Sequence, residues 1–190
     1  VEKNASGQIT LSFSLTQSEL LVALDEYGIM PLPPYIKQKK SEQKADKKNY
    51  QTMFAKFPGA IAAPTAGLHF TPGLIKKITQ IGAQIVPLTL HVGAGTFLSI
   101  KVNDTRDHTM HAEWGEISNR SARIINSTKE KTGRVIAIGT TVLRLLEAAA
   151  IKNDKIAPFS GETKIFITPG YHFKVVDVLL TNFHLPCSTL

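Results

Sequence analysis

Hydrophobic and polar positions recur along the chain with two different periods, which predicts a succession of strands and helices. Residues 9–13 (ITLSF) alternate apolar and polar side chains, as a half-buried strand does. Thr16 and Glu19 then match a capping box that opens a helix, whose apolar face extends over residues 20–27. Gly28 is placed to end this helix.

The rest of the chain continues the alternation. Helices are predicted after Thr71, Ser118 and Gly139. Strands that alternate with helices predict an α/β domain in layers, with a largely parallel sheet flanked by helices. Prolines in the segment 31–35 (PLPPY) predict a boundary before that domain, because proline fixes its own backbone and restricts the residue before it. Short apolar runs predict the strands, at 61–63, 85–92, 112–117, 135–138, 165–167 and 175–180.

The composition favours an anionic partner. The chain has 190 residues, a net charge of +7 and a pI of about 9.5. Six lysines lie within residues 37–48, and this run predicts either a solvated segment or an arm that contacts phosphates. Cys187 is the single cysteine, which excludes an intrachain disulfide and fits a reducing compartment. No apolar run approaches the length of a membrane span.

Three glycine-containing turns follow predicted strands: Thr65-Ala66-Gly67, Gly93-Ala94-Gly95-Thr96 and Gly139-Thr140-Thr141. In open α/β sheets, ligands bind beyond the carboxyl ends of the strands, so we expect these turns to share one edge and to line a small-molecule pocket. None of them is a dinucleotide fingerprint or a phosphate loop. The alternative for the first turn is an ordinary strand–helix connection, in which His69 is a packed loop residue.

Several side chains near these turns are candidates for chemistry. The histidine side chain ordinarily titrates near neutrality, so His69, His91 and His184 could move a proton, although a single loop histidine is often a structural hydrogen-bonding group. Arg144 lies in the first turn of its predicted helix and could clamp a carboxylate or phosphate. Its alternative is an i,i+3 pairing with Glu147 on the helix surface. The histidine pair in HTMH (108–111) has a spacing that suits a metal, but a polar loop explains it, and we predict no metal.

Six segments of the chain resemble, in the same order, those of the S-adenosylmethionine:tRNA ribosyltransferase-isomerase family of queuosine biosynthesis. The resemblance extends from about residue 24 to residue 190. There are departures: GAGTF stands where GPGTF is common, Cys187 and Thr168 are unusual at their positions, and the lysine run is more basic. None of these removes a histidine, glycine or arginine from the motifs. The segments are PLPPYI, YQTMFAKFPGAIAAPTAGLHFT, LTLHVGAGTF, HTMHAE, VIAIGTTVLRLLE and IFITPGYHFKVVDVLLTNFHLPCSTL.

The resemblance implies that residues 1–16 are a remnant of a β-barrel domain, 17–36 a linking helix with a proline-rich linker, and 37–190 an incomplete α/β catalytic domain. The first residue is not a methionine and the last residues are the apolar CSTL, so we expect a fragment that is inactive alone. The implied reaction transfers and isomerises the ribosyl group of S-adenosylmethionine onto 7-aminomethyl-7-deazaguanine at the tRNA wobble position. It forms epoxyqueuosine and releases adenine and methionine.

The resemblance also implies roles for the candidate residues. His69, His91 and His184 are the acid–base candidates, and the lysines of the basic run are the candidate tRNA contacts: Lys37, Lys39, Lys40 and Lys44. S-adenosylmethionine is a co-substrate, and no metal is implied. We expect a cytoplasmic monomer that binds tRNA and no membrane. The residues expected to bind S-adenosylmethionine are Thr65, Gly67, Gly93, Gly95, Thr96, Thr140, Thr141 and Arg144.

Two other functions remain open at this point. The first is a tRNA-binding module without catalysis, which the basic run permits but which leaves the histidines beside the turns unexplained. The second is an S-adenosylmethionine-dependent methyltransferase. Such an enzyme would show a GxGxG-type loop after its first strand and an acidic residue at the end of its second, and neither is visible in the sequence.

Overall fold

The structure is a computed structural model that describes residues 1–3, 9–33, 36, 43–93, 95, 102, 104–151, 154–184 and 186. The chain divides into two compact units, unit 1 (Val1–Pro31) and unit 2 (Leu32–Leu190). The division falls within the proline-rich segment, where few backbone conformations are open to the chain. The finer assignment of 1–16, 17–36 and 37–190 to three parts stays a prediction.

Unit 1 consists of a short hairpin followed by one helix. Strands β1 (Glu2–Lys3) and β2 (Ile9–Thr10) pair antiparallel. Helix α1 (Gln17–Tyr27) has the predicted capping box: the Thr16 hydroxyl accepts from the Glu19 amide at 3.3 Å, and the Thr16 amide donates to the Glu19 carboxylate at 2.8 Å. No residue of α1 is buried: on its predicted apolar face Leu21, Leu24 and Tyr27 are exposed and Leu20 is half-buried.

Unit 2 contains the remaining helices and strands of the described residues. The predicted caps of two helices are confirmed: the Thr71 hydroxyl accepts from the Leu74 amide at 3.2 Å, and the Ser118 hydroxyl accepts from the Ser121 amide at 3.1 Å. The helices are α2 (Gln43–Asn49), α3 (Pro72–Gln80), α4 (Asn119–Glu130) and α5 (Thr140–Ala148), with 3-10 helices at Thr65–His69 and Thr105–Asp107. The strands are β3 (Thr89–His91), β4 (Glu113–Ile117), β5 (Ile136–Ile138), β6 (Phe159–Thr163) and β7 (Val178–Leu180).

The mixed α/β class is confirmed, but the largely parallel sheet is wrong for the described strands. In unit 2, β3, β4 and β6 form one antiparallel sheet in that order, and β5 pairs parallel with β7 in a second sheet. Parallel neighbours need a crossover connection, usually a helix. Between β3 and β4 the described residues form no α-helix, and the chain returns beside the strand it has just left.

Several predicted strands differ from the observed ones. The strand predicted at 165–167 is wrong, and β6 lies just before it, in a polar stretch. Residues 61–63 are not a strand either. Two of their amides, those of Ile61 and Ala62, nevertheless donate to the Val92 carbonyl at 2.9 and 3.4 Å. This contact joins the segment before the 3-10 helix Thr65–His69 to the end of β3.

The hydrophobic core lies between the two sheets and helices α4 and α5. Leu145 of α5 and Ala137 of β5 are fully buried, and Ile117 of β4 is 1% exposed. Helix α5 crosses β4 at Gly115, where an added Cβ would lie 2.8 Å from both methyl groups of Leu145. The absence of a side chain at Gly115 therefore allows α5 to pack closely on the sheet.

Candidate active site

Strands β5 and β7 end at the same edge of their sheet because they are parallel. Ile138 is opposite Leu180, and the Gly139 amide donates to the Leu180 carbonyl at 2.8 Å. The predicted turn Gly139-Thr140-Thr141 follows β5 at once, and residues 181–184 (TNFH), which contain the candidate His184, follow β7. This is the edge at which parallel α/β sheets bind ligands.

The 3-10 helix Thr65–His69 is hydrogen-bonded to this edge. The Thr65 hydroxyl donates to Asn182 Oδ1 at 3.0 Å, and Asn182 Nδ2 lies 3.0 Å from His69 Nε2. A Cβ added at Gly139 would lie 3.6 Å from the Ala66 Cβ, so this helix also contacts the start of α5. We call the three bonded side chains of Thr65, Asn182 and His69 the Thr–Asn–His bridge.

Helix α5 begins at this edge without a side-chain cap. Gly139 occupies the N-cap position with φ +97°, a conformation that favours glycine, and no side chain bonds the first amides. Thr140 is half-buried and Thr141 is buried. Uncapped backbone amides at a helix N-terminus suit a carboxylate or phosphate. A ligand at this position would meet the backbone of Thr141 and not its side chain.

Arg144 does not make the pairing with Glu147 that was the alternative to a ligand clamp. Its guanidinium donates to Glu113 Oε2 at 2.7 Å, to the Ile165 carbonyl at 3.0 Å and to the His111 carbonyl at 3.4 Å. The side chain is buried, and all of these acceptors belong to the protein. This geometry favours a role in holding α5 against β4 over a direct clamp on a ligand.

His91 lies in the antiparallel sheet and not in the Thr–Asn–His bridge. Its ring is stacked at a tilt on Trp114, with 5.0 Å between ring centroids. Its Nδ1 is buried and has no hydrogen-bond partner among the described residues. Gly59, with φ +141°, lies directly against the ring: an added Cβ would be 2.5 Å from His91 Nδ1. His91 is therefore held between a glycine and an aromatic ring.

His184 lies two residues after Asn182 of the Thr–Asn–His bridge and is half-buried. Burial lowers the pKa of His184 below its ordinary value, because a charged imidazolium loses hydration there. Burial therefore favours the neutral form of His184, which is the form that can accept a proton. No hydrogen bond to its ring is made by any of the described residues.

The remaining predicted binding residues are only partly described. Gly67 is buried against Thr52, and an added Cβ there would lie 3.1 Å from the Thr52 methyl group. A Cβ at Gly95 would lie 2.7 Å from the His111 Cβ, whereas Gly93 has open space at the same position. Thr96 and the lysines Lys37, Lys39 and Lys40 lie outside the described residues, as does the side chain of Lys44.

Asn182 is the functional candidate that sequence reasoning missed. Its signal was present, since it stands two residues after the end of the apolar strand β7, close to a strand end as the glycine turns are. The neighbouring His184 drew attention instead, because histidine titrates and an amide does not. What Asn182 contacts depends on the fold, since Thr65 and His69 are more than a hundred positions away.

Neither a cluster of metal-binding side chains nor a membrane-spanning helix is present among the described residues. They contain no group of three or more histidine, cysteine, aspartate or glutamate side chains that could hold a metal ion. None of their helices is long and apolar enough to cross a membrane.

The chain belongs to the family described as queuosine biosynthesis protein, whose family model matches residues 1–190. The resemblance found in its motifs is thereby confirmed. The chain is 56% identical over 190 residues to the S-adenosylmethionine:tRNA ribosyltransferase-isomerase of Methylocella silvestris, and 53% identical over 190 residues to that of Azorhizobium caulinodans. These alignments cover 100% of this chain but 53% and 54% of the relatives, so the chain spans about half of their length.

A solved structure is similar as well. The crystal structure of S-adenosylmethionine tRNA ribosyltransferase from Thermotoga maritima matches with a TM-score of 0.51 and 38% sequence identity. The match covers 65% of this chain and 38% of the solved chain. It supports the mixed α/β fold of the described residues.

Proposed function

We propose that the protein to which this chain belongs is an S-adenosylmethionine:tRNA ribosyltransferase-isomerase. It transfers and isomerises the ribosyl group of S-adenosylmethionine onto 7-aminomethyl-7-deazaguanine at the tRNA wobble position, forms epoxyqueuosine and releases adenine and methionine. The Thr–Asn–His bridge is the observation that carries this proposal. It joins two family motifs, APTAGLHFT and TNFHLP, beside a third, GTTVLR, at one edge of the parallel strands.

The residues at this edge fit the chemical demands of such a substrate. Its methionine carboxylate needs hydrogen-bond donors, and the uncapped start of α5 offers the amides of Thr140 and Thr141. Its ribose needs a base that removes a proton next to the sulfonium, and the departing adenine needs a donor. In this proposal His69, His91 and His184 share these roles, while Gly67, Gly93, Gly95 and Thr96 shape the binding surface and Arg144 positions α5.

The whole protein is expected to be necessary for turnover. We propose that residues 1–16 are the remnant of a β-barrel domain, and that the chain of residues 1–190 alone gives no product. We also propose that the protein acts as a monomer on tRNA in the cytoplasm. In this proposal the lysines of the basic run, Lys37, Lys39, Lys40 and Lys44, contact tRNA phosphates.

The mass of the tRNA product tests the reaction. Full-length protein is incubated with S-adenosylmethionine and a tRNA that carries 7-aminomethyl-7-deazaguanine at the wobble position. An added epoxycyclopentanediol group, with adenine released in equal amount, is the expected result. An added methyl group would instead identify a methyltransferase, and unchanged tRNA that still binds would identify a binding module.

Single substitutions then test the histidines. His69→Ala, His91→Ala and His184→Ala are each measured for adenine release, with His172→Ala, an exposed histidine, as the control. If all three keep near-normal turnover, the acid–base roles are wrong. Replacing the four lysines by alanine is expected to weaken tRNA binding and to flatten its dependence on salt concentration, because fewer counterions are released.

A further inference from the structure

Each hydrogen bond of the Thr–Asn–His bridge has a defined donor and a defined acceptor. The amide nitrogen of Asn182 carries two hydrogens and cannot accept a hydrogen bond, so at 3.0 Å it donates to His69 Nε2. Nε2 must then present its lone pair. In a neutral imidazole the single ring proton therefore resides on Nδ1.

Thr65 explains why the amide of Asn182 faces this way. Its hydroxyl has one hydrogen, which it donates to Asn182 Oδ1 at 3.0 Å. Rotating the amide by half a turn would place the NH₂ group against Thr65 and remove the acceptor of that hydrogen. Among the described residues, no other hydrogen bond of the Thr65 hydroxyl replaces it. The observed orientation is thus the one in which the Thr65 hydroxyl hydrogen has an acceptor and the Asn182 amide donates to His69.

We propose that Asn182 is a positioning residue that holds His69 as the Nδ1–H tautomer and thereby withholds it from the role of general base. The Nε2 lone pair is engaged by Asn182, and Nδ1 carries the proton, so the ring has no free lone pair. His69 can instead donate a hydrogen bond from Nδ1 to an oxygen or nitrogen acceptor of the ligand, as a neutral histidine does in other enzymes. His69 is exposed, and none of the described residues accepts this proton.

The chemical use of this donor rests on the proposed function. There, an acceptor atom of the ribosyl donor, on its ribose or adenine, would receive the hydrogen bond. Proton removal would fall to His184 or His91. The half-buried His184 is placed two residues beyond the bridge, on the same segment as Asn182.

The tautomer can be measured without any turnover. In full-length protein labelled with ¹⁵N-histidine, at about pH 8 where histidines are ordinarily neutral, long-range ¹H–¹⁵N spectra distinguish protonated from unprotonated ring nitrogens. We expect His69 to show a protonated Nδ1 and an unprotonated Nε2. In Asn182→Asp, a carboxylate faces Nε2 and can only accept, so the two signals should exchange.

Two further variants separate positioning from folding. Thr65→Val removes the hydroxyl that orients the amide and should give a mixture of tautomers, whereas Thr65→Ser keeps the donor and should preserve the wild-type signals. Asn119→Asp, which adds the same charge at an exposed position of α4, should leave His69 unchanged. A protonated Nε2 in the wild type, or an unchanged tautomer in Asn182→Asp, would overturn the proposal.

Kinetics connect the tautomer to the reaction. Asn182→Asp should lower the kcat of adenine release by about tenfold or more while KM stays within about twofold, and the charge control Asn119→Asp should keep the wild-type rate. If the tautomer is as expected but the wild-type protein transfers no ribosyl group, the proposed function fails and the role of Asn182 in the bridge stands. If the wild-type protein transfers the ribosyl group but His69 carries its proton on Nε2, the proposed function stands and the role of Asn182 fails.

Discussion

Arg144 and Glu113 form a salt bridge of 2.7 Å between two buried side chains. Burial raises the pKa of Glu113, and the charge of Arg144 acts against that rise. Burial likewise lowers the pKa of Arg144, with Glu113 acting in the opposite sense. Each charge is therefore tolerated in the core because the other is present.

Removing one partner should be more damaging than removing both. Arg144→Met leaves the Glu113 carboxylate buried and unpaired, which is expected to lower the free energy of unfolding by about 3–5 kcal/mol. In the double variant with Glu113→Leu, much of this loss should be recovered. Urea unfolding of the full-length protein and its two single and one double variants measures the difference.

A conservative substitution of Arg144 distinguishes a role in positioning α5 from a role in clamping a ligand. Arg144→Lys should lower stability but leave the KM for S-adenosylmethionine within about twofold, because the guanidinium contacts protein acceptors. A large rise in KM with unchanged stability would restore the clamp that the sequence predicted.

Glu147 is expected to hold the loop at 171–176 in place. Its carboxylate accepts from the amides of Lys174, Val175 and Val176 at 2.9–3.0 Å and from the Tyr171 hydroxyl at 3.1 Å. Glu147→Gln replaces one acceptor oxygen with a donor, which leaves buried amides unsatisfied and should lower the free energy of unfolding by about 2–4 kcal/mol. The amides of residues 174–176 should also exchange faster with deuterium.

The control for Glu147 is Glu162→Gln, which changes an exposed carboxylate on β6. This variant should be close to wild type in both stability and exchange. Equal effects of the two substitutions would contradict the role of Glu147 in the loop.

Local features were predictable from the sequence, and long-range ones were not. The caps at Thr16, Thr71 and Ser118 bond residues three positions away, so a short motif determines them. Strand β6 was missed because its polar sequence becomes a strand only by pairing with β4, more than forty residues earlier. The periodic pattern of hydrophobic residues likewise does not show which strands are neighbours in a sheet.

The candidate site shows the same limit. Strand ends and glycine turns drew attention to Thr65, His69 and Thr140, and the structure places these residues beside one edge of the parallel strands. Their binding of a ligand stays a prediction. For Arg144 the sequence suggested either a ligand or Glu147 as the partner. In the structure its partner is Glu113 of β4. The pairing of Arg144 with Glu113 can be inferred only once both side chains are known to be buried.

Gly59 is expected to set the position of His91. In Gly59→Ala the new methyl group would collide with the imidazole, and alanine is also strained at φ +141°. Gly82→Ala is the matched control, since Gly82 has φ +90° but nothing within 4 Å of an added Cβ. We expect Gly59→Ala to shift the His91 ring resonances and to reduce adenine release, while Gly82→Ala lowers stability by about 1 kcal/mol and does neither. Identical behaviour of the two variants would show that His91 is not held by Gly59.

His184 should make the stability of the protein depend on pH. Burial lowers its pKa in the folded state below its value in the unfolded chain, so near pH 6 the unfolded state binds more protons. Its contribution is therefore fully present above the unfolded pKa of about 6.5 and is lost as pH falls through that value and then through the lower folded one. His184→Gln removes the titrating group, so its thermal unfolding midpoint should fall less than that of the wild type between about pH 7 and pH 5. The exposed His172, substituted in the same way, should leave the wild-type slope unchanged; a slope that persists in His184→Gln would assign the effect to another group.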